Sequence, residues 1–172
     1  MQSNVISRPQ TLKASHTVLL AAAFIIGNIV LPQLFHLMPD GGKIWLPIYL
    51  FTLVGSYRYG WKVGLLTALF SPLINSFLFG MPLVSGLPAI MIKSGLLAMA
   101  ASFIASKRNV SILSLLAVIL SYQVVGTGFE WIIKGDFFVA IQDFRIGIPG
   151  MFLQLFGGYM LIKALGKINH AK

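Results

Sequence analysis

The chain has 172 residues, of which 57% are hydrophobic and only 10% charged, with a mean hydropathy of +0.86. A soluble domain carries about 25% charged residues, so this deficit, spread over several long apolar segments, excludes a soluble globular protein. It predicts an integral membrane protein with one compact all-α bundle. The net charge of +9 does not mark a nucleic-acid binder, because the basic residues fall at helix ends and tails rather than in one patch with interleaved aromatics.

With no cysteine, the chain can form neither a disulfide nor a thiolate metal site. A polar N-terminal tail (1–14) leads into an apolar stretch that could pass for a secretory leader, since basic residues precede it. No small-residue cleavage site ends that stretch, and it is long for a leader, so it reads as a retained first helix.

Crossing the roughly 30 Å hydrocarbon layer takes about 20 helical residues. Six segments answer to this, over about 15–35, 43–57, 60–79, 87–105, 110–133 and 146–165. They make a six-helix membrane domain over 15–166, followed by a C-terminal tail, 167–172. The second segment covers only about 22 Å, so it is tilted, partly interfacial or extended by its flanks. Connections are short except for 134–145, which could form an ordered loop.

One set of segment ends holds Arg8, Lys13, Arg58, Lys62, Lys107, Arg108, Lys163, Lys167 and Lys172; the other holds Lys43, Lys134 and Arg145. The positive-inside bias therefore places both termini in the cytoplasm. Asp40, Glu130, Asp136 and Asp143 all fall at or near the opposite, external ends, where a binding site should open.

Polar and small residues inside the apolar segments carry the remaining information. Ala23 and Gly27 form a small-xxx-small pair, as do Gly60, Gly64 and Ala68; such strips let helices approach closely where lipid supplies no hydrophobic drive. Packing within this bundle accounts for both, and Ala23/Gly27 could also receive a partner. Pro72 frees a carbonyl one turn earlier, and Asn75 and Ser76 follow it. These two either bind a ligand or satisfy each other and the broken backbone.

Lys93 lies about 9 Å inside the fourth segment. A centrally placed lysine costs at least about 2.5 kcal/mol and usually faces the protein interior. It either snorkels outward, pairs with Glu130, or contacts an anionic ligand, and a Lys–Glu pair can itself line a pocket. Aromatics crowd the same end, among them Phe35, Trp45, Tyr49, Phe129 and Trp131, mostly as an interfacial belt. The connection containing Gln142, Asp143 and Arg145 could close over a small organic ligand.

No catalytic constellation emerges. His16, His36 and His170 are far apart at chain and helix ends, which argues against a metal site. Hydrolase, zinc-protease and phosphate-loop motifs are missing from the sequence.

The run from Leu31-Pro32 through Leu46-Pro47-Ile48-Tyr49 to Gly55, then Tyr59-Gly60, Gly64, Ser71-Pro72-Leu73, Gly80-Met81-Pro82 and Leu87-Pro88, resembles the substrate-binding S components of energy-coupling factor transporters. The likeness covers about 21–105. It departs from the family pattern at Phe79, where a threonine is usual, and at Asn75, which takes a serine position.

The resemblance implies a vitamin-uptake subunit in a prokaryotic cell membrane. It would bind a micronutrient from outside, beneath the loops that follow helices one, three and five. It would then topple on joining a transmembrane coupling subunit and two ATPases. ATP would be used by those partners, so no cofactor is expected here, nor is this chain expected to be an enzyme.

Ala23 and Gly27 map onto the family's docking surface. Met81, in the Gly-Met-Pro turn, joins Lys93, Asn75, Ser76, Glu130, Trp131 and Arg145 as the expected substrate-binding set. The chain begins Met-Gln-Ser and lacks cysteine, which disfavours the nickel, cobalt and cobalamin members. Lys93 stands where many relatives carry a glutamate, which favours a ligand with a carboxylate or phosphate. The alternative from another class is a small membrane scaffold or assembly subunit without a ligand.

Overall fold

The computed structural model describes residues 13–170, the side chains of 168–170 excepted. In chain order the elements are α1 (Ala14–Phe35), α2 (Gly41–Trp45), a 3₁₀ turn (Pro47–Tyr49), α3 (Leu50–Tyr59), α4 (Trp61–Phe79), α5 (Leu87–Lys107) and α6 (Ile112–Lys134). Then come α7 (Phe137–Ala140), α8 (Gln142–Arg145), α9 (Ile148–Phe152), a π turn (Leu153–Gly157) and α10 (Gly158–His170). All the regular structure among the described residues is helical, which satisfies backbone groups within each segment where no water is at hand.

Five helices are long and apolar enough to cross a membrane: α1, α4, α5, α6 and the continuous run Ile148–Lys167. The second predicted segment is built differently. It is extended by its flank, as α2, but it breaks at Leu46, whose backbone is left-handed at φ 45° and ψ 44°. Beyond the break, α3 has ten residues, about 15 Å of helix. Non-helical backbone at membrane depth is tolerated where protein covers it, and Leu46, Pro47, Tyr49 and Leu50 are all buried.

α3 is the axis of the bundle. Every residue from Thr52 to Tyr57 is buried, and α1, α4, α5 and α10 pack around it. Its neighbours are trimmed to fit. A side chain at Gly64 would collide with Ser56, and one at Gly27 would come within 2.9 Å of the Phe51 ring. Gly158 likewise makes room for Leu53, with only 3.0 Å to spare for a Cβ. The Gly60/Gly64/Ala68 strip is thus internal packing.

The turns follow their residues. Gly60 joins α3 to α4 directly at φ 91°, and Gly80 ends α4 at φ 67°, conformations that a side chain would strain. The Gly-Met-Pro stretch then carries the chain to α5. The long connection is ordered by α7 and α8; Asp136 Oδ1 caps α7 by accepting from the amides of Phe138 (2.8 Å) and Val139 (3.2 Å).

Two ends of the bundle result. One gathers the α4–α5 turn, α2, α7 and α8, and is tied across by Lys134 Nζ donating to the Ser85 carbonyl at 2.6 Å. The other gathers the α3–α4 and α5–α6 turns, where Tyr57 donates to the Arg108 carbonyl at 3.3 Å. Arg8 and Lys172, two of the cations counted for orientation, lie outside the described residues, as does most of the 1–14 tail. The 167–172 tail continues α10 as far as His170.

Candidate functional site

Lys93 is 2% exposed and the second largest of the fully buried side chains. Its ammonium donates to two carboxylates, Glu130 Oε2 at 2.5 Å and Asp143 Oδ2 at 2.9 Å. Three elements meet there: α5 supplies the lysine, α6 the glutamate, and α8 the aspartate. Gly126, one turn before Glu130, lets the lysine stem lie across α6; a Cβ there would sit 2.5 Å from Lys93 Cγ. Among the expected outcomes for Lys93, pairing with Glu130 is what the structure holds, with Asp143 added.

One ammonium between two carboxylates leaves the cluster with one net negative charge when all three are ionised. The attraction is large at such short range, but desolvating three charges offsets much of it. Removing Lys93 would leave two carboxylates without a cation, whereas removing either carboxylate would leave a one-to-one pair. The cluster also pins the connection to the bundle, because Asp143 ties α8 to α5 through Lys93.

Polar side chains without partners surround this end of α5 and α6. Gln123, fully buried, has neither its amide nitrogen nor its oxygen bonded among the described residues, and the same holds for Thr127 Oγ1 and Ser94 Oγ. Gln123, Thr127 and Glu130 follow one another at helical spacing along one face of α6. Across from it, Gln154 rides on the π turn and accepts from the Tyr122 hydroxyl at 2.8 Å, while its own nitrogen is unpaired. Tyr49 packs against Tyr122 with ring centroids 5.4 Å apart. A buried unpaired polar group costs about 1–3 kcal/mol, and π turns of this kind recur at functional sites.

The remaining expected residues are placed elsewhere. Asn75 belongs to a second buried network, between α1, α3 and α4. Its amide nitrogen donates to the carbonyls of Asn28 (2.9 Å) and Ser71 (3.0 Å), and its oxygen accepts from Gln33 at 3.2 Å. Asn28 in turn donates to Thr52 (3.0 Å) and Ser71 (3.3 Å) and accepts from the Phe51 amide at 3.2 Å. Of the two roles open to Asn75, the structure shows the satisfied one.

Ser76 is half-buried and makes no side-chain hydrogen bond among the described residues. Met81 and Trp131 are each 50% exposed, Trp131 lying edge-on to Phe137 at 5.3 Å. Arg145 is exposed; its neighbour Asp143 enters the cluster instead. Ala23 is exposed on α1, whereas Gly27 is taken up by Phe51. Among the described residues no group of three or more His, Asp or Glu side chains is placed to hold a metal ion.

Sequence reasoning missed Asp143 as a partner of Lys93, and missed Tyr49, Tyr122, Gln123, Thr127 and Gln154 altogether as site candidates. The available signal was polarity inside apolar segments: Gln123 and Thr127 share a face with Glu130, and Gln154 is an isolated amide in the last helix. No family model matches the chain, and no curated protein or solved structure is significantly similar to it.

Proposed function

We propose that the protein is the substrate-binding subunit of an energy-coupling factor type importer, capturing a vitamin or related micronutrient at the Lys93–Glu130–Asp143 end of the bundle. The observation that carries this reading is the buried ion cluster beneath α8, with the unpaired polar groups of Ser94, Gln123, Thr127 and Gln154 beside it. Such a cluster at membrane depth marks a functional site by default. Unpaired donors and acceptors nearby are what a small polar ligand would satisfy.

The sequence likeness supplies the rest of the proposal. The segment from α2 to α3 serves as a sixth span, both termini face the cytoplasm of a prokaryote, and the site opens outward. The ligand is handed on through a coupling subunit and two ATPases, with the exposed Ala23 side of α1 as the docking face.

The ligand class changes once Lys93 is seen with two carboxylates. A lone lysine would favour an acid, but a cluster with a net negative charge favours a neutral or cationic ligand that presents hydrogen-bond donors. Thermal stabilisation of the purified protein by a panel of vitamins tests this. Stabilisation by neutral or cationic members is expected. Stabilisation by carboxylates alone would overturn the charge argument, and stabilisation by none, with no small molecule retained, would favour the scaffold alternative.

A further inference from the structure

The chain's charge is divided unevenly between the two ends of the bundle. All four acidic side chains are committed at one end: Asp40 pairs with Lys43 at 2.9 Å, Glu130 and Asp143 with Lys93, and Asp136 caps α7. The opposite end holds Lys13, Arg58, Lys62, Lys107, Arg108, Lys163 and Lys167 among the described residues, with no acidic side chain to answer them. An orientation signal requires cations at that end. It does not require them to converge.

Here they do converge. An open cavity of about 760 Å³ lies between the end of α3, the α5–α6 turn and α10. Arg58, Arg108, Lys163 and Lys167 line it, together with apolar residues such as Val110 and Met160. Arg58 Nε is shielded from solvent and has no hydrogen-bond partner among the described residues. Arg58 and Arg108, both in the cavity wall, each present a planar fork suited to phosphate oxygens.

We infer that this cavity is a second ligand site, which takes a phosphate-bearing anion. The four cations hold the phosphate, and the apolar part of the wall accepts whatever uncharged portion adjoins it. The helix ends set the cavity at headgroup depth, so the anion comes either from an acidic phospholipid or from a soluble phosphate ester. The inference stands on the charge and shape of this end alone and is independent of the uptake proposal.

Native mass spectrometry of the full chain tests it, using phosphatidylglycerol and phosphatidylcholine of matched acyl chains in one arm and glycerol 1-phosphate in the other. Wild type should bind phosphatidylglycerol, glycerol 1-phosphate or both at least tenfold better than phosphatidylcholine. Binding of phosphatidylglycerol alone assigns the lipid as the source; binding of glycerol 1-phosphate assigns the soluble ester. Arg58→Gln should reduce that binding about tenfold. So should the double change Lys163→Gln/Lys167→Gln, which touches only exposed side chains and spares the fold. Lys62→Gln, at the same end but outside the cavity, should leave it unchanged. Equal loss in Lys62→Gln, or no preference for the phosphate anion in either arm, would overturn the inference.

Discussion

Two buried polar networks lie in one bundle, and they differ in completeness. In one, both amide atoms of Asn28 and both of Asn75 find partners, and the network stitches α1, α3 and α4 together. Around Lys93, the charges are paired but Gln123, Thr127, Ser94 and one atom of Gln154 are not. Polarity inside an apolar helix is therefore not itself a site. Completeness separates the structural network from the one in which the uptake proposal places a ligand.

Breaking the Lys93 cluster should have the largest effect. Lys93→Met leaves Asp143, buried, and Glu130, partly buried, without a cation and should destabilise the protein by about 3–5 kcal/mol. Thermal unfolding in detergent would read this as a large fall in Tm. Adding Glu130→Gln and Asp143→Asn to Lys93→Met should restore much of the loss, because it removes the stranded charges; no recovery would mean that Lys93 acts through packing rather than charge.

Asn75→Ala breaks the complete network. It strips the Asn28 and Ser71 carbonyls of their side-chain donor and should cost about 1–3 kcal/mol, with ligand affinity unchanged once the folded fraction is allowed for. Gly126→Ala falls in a similar range, about 1–3 kcal/mol, because the new methyl must displace the lysine stem. Unlike Asn75→Ala, it should also weaken ligand binding.

Gln123→Leu sharpens the comparison most, since its effects on stability and binding should separate. Replacing an unpaired buried amide with an apolar side chain should be neutral or stabilising by about 1 kcal/mol, yet it should weaken ligand binding at least tenfold. A loss of stability instead would show that the amide is satisfied. Trp131→Phe should do least, within about 0.5 kcal/mol, because the ring is half exposed and a phenyl ring can keep the edge contact with Phe137.

The all-helical architecture was legible because apolar length is a strong signal, and segment ends agree with the helices to within a few residues. The second segment was legible as an oddity but not as the axis of the bundle. Its shortness shows in the sequence; the break at Leu46 and the burial of Thr52 to Tyr57 arise only from packing. Lys93 and Glu130 could be paired from charge and depth. Asp143 could not, because α8 turns it inward and Arg145 outward within a single short turn. Asn75 and Gln123 are both amides inside apolar segments, and only the hydrogen bonds of the folded chain distinguish them. The family likeness puts Gly27 on a docking strip, and Phe51 lies against it, so a side chain there would also disturb internal packing. Ala23→Leu is therefore a cleaner probe of docking than a change at Gly27.

The most direct test of the central claim is native mass spectrometry of the full-length protein purified from membranes, comparing wild type, Asn75→Ala and Gln123→Leu. A small molecule should be retained by the folded fraction of wild type and Asn75→Ala and lost from Gln123→Leu. Retention by Gln123→Leu together with loss from Asn75→Ala would place the ligand in the other network and contradict the account.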